Sequence, residues 1–394
     1  MRIVFVIDSW NPGNGCIVTT HRLTKELMNK GHDVAIVCTE GSEASKFPGE
    51  VFIVPGFYLP GVKKAMQNMN IKFGLGVTRI LKRAFRNADL VQVQFPYFMA
   101  ANSVRVAKRM GIPVMGGCHI QSQNMTGAIG KDHRCLDRFL NHWFNYELFQ
   151  RVDALHCPSE FAADLIKSKG STAHFRVISN GIPRDYVPIR KTVRPEIMGD
   201  KFVILNIGRL AMEKRQIMMI DAVRKSRYSD NIQLLICGKG ECADNLIQEG
   251  SSLPNPAQIS YISEEEKLIF LNTADLYLHS SYVELESLSC LEAIGCGLPC
   301  LIADSPNSAA PMFALDDKLL FELDNSDDMA SKIDYWYENR DRLKKLKKEA
   351  LKMAEGFRMD RTVSSMERLY DDVIEHTKSG RTTQRLPAME KQFT

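Results

Sequence analysis

Two glutamates, Glu284 and Glu292, are separated by seven residues, which is a spacing that lets both contact one ligand. Each carboxylate can accept hydrogen bonds from two neighbouring hydroxyl groups, as on a ribose or a hexose. Ser287, Leu288 and Ser289 are expected to begin a helix, and the free N–H groups of a helix N-terminus favour phosphate. The pattern therefore indicates a ligand that carries both hydroxyl and phosphate groups.

The surroundings of Glu292 argue against a simple exposed helix face. Leu288, Leu291 and Ile294 flank it in an otherwise apolar stretch. Burial of an uncompensated polar group costs several kcal/mol, on the order of 2–7. We therefore expect Glu292 to meet either a ligand or a basic partner.

A second group of charged residues follows an apolar run at 202–207. Gly208 and Arg209 come directly after this run, and Lys214 lies five residues beyond Arg209. A guanidinium and an ammonium at the carboxyl end of a parallel strand can hold a diphosphate from two sides. The alternative is a solvated arginine beside an ordinary Glu213–Lys214 surface pair. The position at the end of a strand favours the diphosphate.

A glycine-containing turn, residues 10–15, separates the first apolar run from an amphipathic stretch. Gly13 and Gly15 leave backbone N–H groups accessible to an anion or a sugar hydroxyl. A plain tight turn explains the two glycines equally well. Val18 stands where a third glycine would complete G-x-G-x-x-G, so a nicotinamide dehydrogenase is disfavoured.

Short Val- and Ile-rich runs alternate with longer amphipathic stretches, which predicts the α/β class with parallel sheets. After a polar, proline-containing stretch the series begins again, and this indicates two Rossmann-like domains. The expected strands of the first series are residues 3–7, 34–38, 51–54, 90–94, 114–118, 154–157 and 176–179. Those of the second are residues 202–207, 233–237, 259–262, 276–279, 300–303 and 319–321.

The length of 394 residues also favours two domains over one. We place an N-terminal domain at 1–182, a linker at 183–200 and a C-terminal domain at 201–356. A last helix is expected at 357–378. A mobile tail is expected at 379–394.

The net charge and the cysteine pattern limit the kinds of partner and metal site that the protein is expected to have. The formal charge is only +4, and the ten cysteines occur singly without a pair of C-x2-C motifs, so we expect reduced thiols and no metal site. No signal peptide and no spanning segment are evident, which predicts a cytoplasmic protein.

One segment, residues 62–86, is much more basic than the chain as a whole. It contains seven lysines and arginines and no acid, interleaved with apolar residues. Such a segment suits peripheral attachment to an anionic membrane surface, although an ordinary lysine-rich surface helix is an equal alternative. Nucleic acid is disfavoured because no aromatic stacking platform accompanies the charges.

Together these elements resemble glycosyltransferase family 4, the retaining enzymes of the GT-B architecture in which two Rossmann-like domains face each other across a cleft. The likeness covers roughly residues 1–376. It implies that the domain at 1–182 lies on the acceptor side, that the domain at 201–356 binds the donor, and that the helix at 357–378 crosses back to the first domain. The matching elements occur in family order: Gly13 and Gly15, His119 after Gly116-Gly117-Cys118, Pro158-Ser159-Glu160, Ser179-Asn180-Gly181, Gly208-Arg209, Glu213-Lys214, Gly238-Lys239-Gly240, and the pair Glu284 and Glu292.

The resemblance implies a role for each matching residue. Arg209 and Lys214 would bind the donor diphosphate and replace the metal ion that other transferases need. Glu292 would bind the ribose, and Glu284 would lie beside the donor sugar. His119 would orient the sugar or the acceptor. The donor-binding set is completed by Gly15, Gly208, Gly238, Leu288 and Ser289.

The residues after Glu284 depart from the family pattern, because Leu285, Glu286 and Ser287 replace a glycine-rich turn. This leaves open whether Glu284 or Glu286 contacts the sugar. The stretch from Ser289 to Pro299 looks most like the branch that glucosylates diacylglycerol in bacterial membranes.

We therefore expect a retaining hexosyltransferase whose co-substrate is a nucleotide diphosphate sugar, UDP-glucose or a similar UDP-hexose. Its acceptor would be a hydroxyl group, with diacylglycerol or another membrane lipid as candidates, and no cofactor or obligatory metal is predicted. The alternatives are a nucleotide-sugar epimerase or hydrolase of the same fold, and a binding protein without turnover.

Overall fold

The computed structural model describes residues 1–11, 15–39, 44–61, 63–68, 72–123 and 134–379. The chain forms two compact units. The first contains Met1–Asn180 and the chain from Asp360 onward, and the second contains Gly181–Met359. Residues 183–200, expected as a linker, lie within the second unit. Each unit is built on a parallel sheet with helices, so the predicted α/β fold class is confirmed.

The first unit contains, in its described part, a seven-stranded parallel sheet of order β3-β2-β1-β6-β7-β8-β9. Its central strands are apolar and buried on both faces, as strands covered by helices on two sides must be. A two-residue antiparallel hairpin, β4 with β5, was not predicted because it is too short to show a period. The strands are β1 (Arg2–Val6), β2 (Asp33–Thr39), β3 (Glu50–Val54), β4 (Gly56–Phe57), β5 (Phe73–Gly74), β6 (Leu90–Val93), β7 (Val114–Gly117), β8 (Ala154–Cys157) and β9 (Phe175–Val177).

The helices of the first unit connect these strands. A 3-10 turn (Ala44–Lys46) and a π-helical turn (Asn145–Phe149) interrupt the regular pattern. The α-helices are α1 (Gly15–Asn29), α2 (Lys63–Asn68), α3 (Thr78–Ala84), α4 (Phe98–Arg109), α5 (Arg134–Phe144) and α6 (Glu160–Ser168).

The last helix, Met359–Lys378, packs in the first unit although the chain reaches it from the second. Its apolar residues at helical spacing, among them Met366 and Leu369, are fully buried. Tyr370 Oη donates a hydrogen bond of 2.6 Å to Gln92 Oε1, and Thr362 Oγ1 donates one of 2.9 Å to the Ser179 carbonyl. These contacts fix the helix against β6 and the end of β9.

The second unit has a six-stranded parallel sheet of order β12-β11-β10-β13-β14-β15 within its described residues. Two apolar clusters cover the faces of this sheet, one around Tyr277 and Leu291 and the other around Ile204 and Trp336. The strands are β10 (Phe202–Ile207), β11 (Ile232–Cys237), β12 (Gln258–Ser260), β13 (Leu276–His279), β14 (Cys300–Asp304) and β15 (Leu320–Glu322). The helices are α7 (Gln216–Lys225), α8 (Ala243–Gly250), α9 (Glu264–Thr273), α10 (Leu288–Gly295), α11 (Ser326–Glu338), α12 (Arg340–Ala354) and, crossing to the first unit, α13 (Met359–Lys378).

In each sheet the chain order reverses between two neighbouring strands, β1 and β6 in the first unit and β10 and β13 in the second. The loops that follow such a pair leave in opposite directions and open a crevice at the carboxyl edge of the sheet. The residues that follow β10 and β13 are therefore placed where α/β proteins bind ligands.

The basic segment, residues 62–86, is divided among α2, β5 and α3, and residues 62 and 69–71 lie outside the described residues. Arg79, Lys82 and Arg83 of α3 are exposed, whereas Leu81 and Phe85 are buried in the core. The charged side chains of α3 are therefore accessible to a membrane surface, whereas Leu81 and Phe85 are not.

In the described ranges, no helix has the length and apolar character needed to cross a membrane. The same ranges contain no cluster of three or more His, Cys, Asp or Glu side chains that could hold a metal ion.

Candidate functional site

The loops after β10 and β13 are joined at the point where chain order reverses. Ser280 Oγ donates a hydrogen bond of 2.5 Å to the Lys214 carbonyl, and the Tyr282 N–H donates one of 3.3 Å to the Glu213 carbonyl. Lys214 ends a 3-10 turn, Met212–Lys214. The loop that carries the cations and the loop that carries Glu284 are thus held together by hydrogen bonds to the backbone carbonyls of Glu213 and Lys214.

Two glycines allow a third loop, after β11, to approach the first. A Cβ atom on Gly238 would lie 1.8 Å from the Gly208 carbonyl oxygen, and one on Gly240 would lie 2.1 Å from the Leu210 oxygen. A Cβ on Gly208 itself would meet no heavy atom within 4 Å. Gly238 therefore has a packing role, whereas Gly208 borders open space in which a ligand could lie.

The predicted cations each form an ion pair in the second unit. Arg209 Nη2 contacts Glu213 Oε1, and Lys214 Nζ contacts Glu284 Oε1. The two cationic side chains remain 20% and 23% exposed. Each keeps further N–H groups for a ligand, because a guanidinium carries five donors and an ammonium three. Glu213 and Glu284 therefore orient Arg209 and Lys214 and leave both cations accessible to a ligand.

Glu284 is held in its ionised form. Burial raises the pKa of its carboxyl group, but Lys214 and His279 lower it more, to about 2. Glu286, the alternative to Glu284, has a buried side chain that is 6% exposed. The structure places Glu284 in the ion pair with Lys214, so Glu284 shares the site with the predicted cations.

Helix α10 begins as predicted. Ser287 is its N-cap, and its Oγ accepts a hydrogen bond of 3.4 Å from the Cys290 N–H. Leu288 and Ser289 occupy the first turn and are partly exposed. Their backbone N–H groups belong to the helix end that attracts anions.

Glu292 has the basic partner that its apolar surroundings required. Lys267 Nζ, from α9, lies 2.7 Å from Glu292 Oε2, and the two side chains are 12% and 5% exposed. Lys267 was not predicted from the sequence, because it lies 25 residues before Glu292 in another helix. The burial of Glu292 alone therefore does not demonstrate a ligand.

In the first unit His119 follows β7, as predicted. Its ring lies 5.2 Å from that of His156, measured between centroids. Burial and the neighbouring His156 lower the pKa of His119 to about 3, so its imidazole is neutral at physiological pH. Gly15 is the exposed first residue of α1, whereas Gly13 lies outside the described residues.

Two buried polar residues that follow or end apolar strands were missed by the sequence analysis. Asp8 follows β1, and its Oδ1 accepts a hydrogen bond of 2.8 Å from the Gly74 N–H. Burial raises the pKa of Asp8 to about 7. His279 ends β13 with its Nε2 3.5 Å from Glu284 Oε1. A single polar residue at the end of an apolar run was the signal that could have found both.

Two family models match the chain and together cover most of it. The model described as Glycosyltransferase Family 4 matches residues 13–186. The model described as Glycosyl transferases group 1 matches residues 190–353. Each match falls largely within one of the two units.

Curated relatives and solved structures resemble the chain over most of its length. The alpha-monoglucosyldiacylglycerol synthase of Acholeplasma laidlawii is 22% identical over 95% of this chain and 98% of its own. The enzyme of the same name from Streptococcus pneumoniae is 23% identical over 78% of this chain and 72% of its own. Sucrose-phosphate synthase of Thermosynechococcus elongatus matches with a TM-score of 0.76 at 14% identity, covering 95% of this chain and 99% of that one. Anabaena HepE in complex with UDP matches with a TM-score of 0.75 at 15% identity, covering 94% of this chain and 100% of that one. The two structures show a common fold.

Proposed function

Because this chain belongs to glycosyltransferase family 4 and is a hexosyltransferase, we propose that it transfers a hexose from a UDP-hexose to a membrane lipid hydroxyl, with retention at the anomeric carbon. UDP-glucose is the first candidate for the donor and diacylglycerol for the acceptor. One observation carries the donor side of the proposal: the Lys214–Glu284 ion pair joins the two loops at the crevice between β10 and β13. This ion pair supports the assignment of Lys214 to the diphosphate and of Glu284 to the sugar.

The donor diphosphate is assigned to Arg209 and Lys214. Charge-assisted hydrogen bonds from a guanidinium and an ammonium are about twice as strong as neutral ones. The first turn of α10 supplies backbone N–H groups nearby in the same unit. Glu292 is assigned to the ribose, in competition with Lys267, and Glu284 to the hexose.

The proposed reaction needs charge stabilisation more than a nucleophile. The bond between the anomeric carbon and the phosphate oxygen breaks, and the acceptor oxygen bonds to the same face of that carbon. The acceptor proton passes to the departing phosphate oxygen. Arg209 and Lys214 stabilise the negative charge that develops on the diphosphate, which is the largest contribution a site of this kind makes.

The acceptor assignment rests on the relatives and on one surface of the first unit. Both curated relatives are named for glucosyldiacylglycerol synthesis. In the first unit, Leu75, Phe98 and Phe139 are exposed apolar side chains. Phe98 lies 5.1 Å from the Trp143 ring on α5, measured between centroids. We name Leu75, Phe98, Phe139 and Trp143, with the exposed cations of α3, the aromatic-basic surface.

This surface replaces the whole of residues 62–86 as the proposed membrane contact. Exposed aromatic and apolar side chains enter the boundary between headgroups and acyl chains, while cations attract anionic headgroups. Helix α4 is adjacent to this part of the chain, since Asn102 Nδ2 donates hydrogen bonds to Thr78 Oγ1, at 3.1 Å, and to the carbonyl of Gly76, the residue after Leu75. Apolar and cationic groups therefore share one region of the first unit.

Nucleotide release from a panel of UDP- and GDP-hexoses, with and without vesicles containing diacylglycerol, tests the proposed function. We expect release to require both a UDP-hexose and the lipid, and the product to be an α-linked glycolipid detectable by mass spectrometry and NMR. Release that is indifferent to vesicles would point to hydrolysis or to a water-soluble acceptor. Binding without release would point to a binding protein.

Phe139→Ser is expected to reduce binding to anionic vesicles by about 10-fold, because transfer of one large apolar side chain contributes about 1.5–3 kcal/mol. Phe139 is 63% exposed, so the substitution should leave the stability of the fold nearly unchanged. The matched control is Ile247→Ser in the second unit, at a residue that is 51% exposed. Vesicle cosedimentation measures both, and equal binding by the two variants would contradict the aromatic-basic surface.

A further inference from the structure

His279 is a buried polar residue in an apolar strand. It ends β13 after Leu276, Tyr277 and Leu278, and its side chain is 4% exposed. A histidine in such a place costs free energy unless its ring nitrogens are compensated. Nε2 lies 3.5 Å from Glu284 Oε1, and among the described residues it has no hydrogen-bond partner within bonding geometry. His279 thus contacts the carboxylate that is assigned to the hexose.

The same imidazole also interacts with the thiol of Cys290, on α10. Helix α10 also carries Glu292, two residues after Cys290. His279 therefore lies between the loop that presents Glu284 and the helix that presents Glu292.

The charge state of His279 agrees with this position. Burial lowers the pKa of the imidazole, but Cys290 and Glu284 raise it more, to about 9. The side chain is then a cation at neutral pH, and a buried cation persists only beside compensating negative charge. Glu284 provides that charge. Burial raises the pKa of the Cys290 thiol, but Cys300 and His279 lower it more.

We propose that His279 is a positioning residue, which holds Glu284 in the orientation that binds the donor hexose. This inference rests on the proposed function. His279 and Lys214 both approach Oε1 of Glu284, so we assign Oε2 to the sugar hydroxyl. Lys214 has a second assigned role, which is to bind the diphosphate, whereas His279 is assigned only to Glu284. When the diphosphate attracts Lys214, His279 keeps the carboxylate in place.

A second contact of β13 supports the assignment. Tyr277, two residues before His279 and therefore on the same face of the strand, donates a hydrogen bond of 2.9 Å from its Oη to the Ile207 carbonyl. Ile207 immediately precedes Gly208 and Arg209. One face of β13 thus fixes the start of the cation loop through Tyr277 and the carboxylate loop through His279.

The test compares the binding of UDP and of UDP-glucose by isothermal titration calorimetry. His279→Phe removes the contact to Glu284, whereas His279→Gln retains an N–H donor of similar reach. We expect His279→Phe to weaken UDP-glucose binding about 10-fold, since side chains in direct contact typically show interaction energies of about 0.5–3 kcal/mol. UDP binding should change by less than about 2-fold, because Glu284 is assigned to the hexose. His279→Gln should recover most of the loss.

Asp334→Asn is the matched control for damage to the second unit. Asp334 is buried and accepts a hydrogen bond of 2.5 Å from Ser226 Oγ, at the end of α7 remote from the loops after β10 and β13. This variant should lower the melting temperature and leave the ratio of UDP to UDP-glucose affinity unchanged. If His279→Phe does not fold, His279→Asn replaces it, because the shorter amide does not reach Glu284.

The outcomes separate the two proposals. If the wild type binds UDP-glucose more tightly than UDP and the His279 variants keep that ratio, or lose both ligands equally, the positioning role is overturned while the proposed function stands. If the wild type binds neither ligand, the proposed function fails and the inference fails with it. A selective loss of UDP-glucose binding, recovered by His279→Gln, supports the positioning role.

Discussion

Lys214→Met is expected to lower kcat for hexose transfer by about 10²- to 10³-fold, the loss typical when one preorganised group that stabilises developing charge is removed. Methionine keeps the unbranched apolar stem but not the ammonium group. The variant cannot neutralise the departing diphosphate, and Glu284 loses its ion-pair partner. Nucleotide release at saturating donor and acceptor measures the effect.

Lys225→Met is the control for loss of a positive charge. Lys225 is on α7 in the same unit and forms an exposed ion pair of 2.8 Å with Asp327. Exposed pairs of this kind contribute about 0–1 kcal/mol. We expect this variant to keep the kcat of the wild type, and comparable values for the two methionine variants would exclude a role for Lys214 in the chemical step.

Glu292→Ala is expected to reduce both donor affinity and stability. The carboxylate is assigned to the ribose, so the KM for the donor should rise at least about 10-fold, or about 1.4 kcal/mol. The same substitution removes the buried partner of the Lys267 ammonium and leaves it only the exposed Glu264 carboxylate, whose Oε2 lies 3.7 Å away. Removal of one member of a buried pair costs about 3–5 kcal/mol. Urea denaturation and donor titration measure the two effects separately.

The double variant Glu292→Ala with Lys267→Met separates the ribose contact from the ion pair. Removal of both charges should restore much of the free energy of unfolding, because no uncompensated charge remains buried. Donor affinity should stay low, since no carboxylate is present for the ribose. Recovery of donor affinity in the double variant would show that Glu292 serves the fold through Lys267.

The features that the sequence predicts are those that depend on interactions between residues close together in the chain. The strand at 276–279 and the helix start at Ser287 were predicted because apolar periodicity and capping act over a few residues. The position of Arg209 at the end of β10 followed from the same local pattern. The α/β class also followed, since the alternation of strands and helices extends along the whole chain.

Contacts between distant residues were decided only by the tertiary structure. Lys214 meets Glu284 across 70 residues of chain because β10 and β13 are neighbours in the sheet, and no local pattern specifies that strand order. The partner of Glu292 could be stated only as a ligand or a base until α9 placed Lys267 beside it.

The amino-acid sequence by itself determined the class of fold, the carboxyl-edge position of the cations and the need of Glu292 for a partner. Tertiary structure decided that His279 reaches Glu284, that Gly238 serves packing, and that Leu81 and Phe85 of the basic segment are buried. The physical reason is that periodicity shows that a side chain is apolar or charged, whereas its neighbours are set by strand order and by the packing of helices on the sheet.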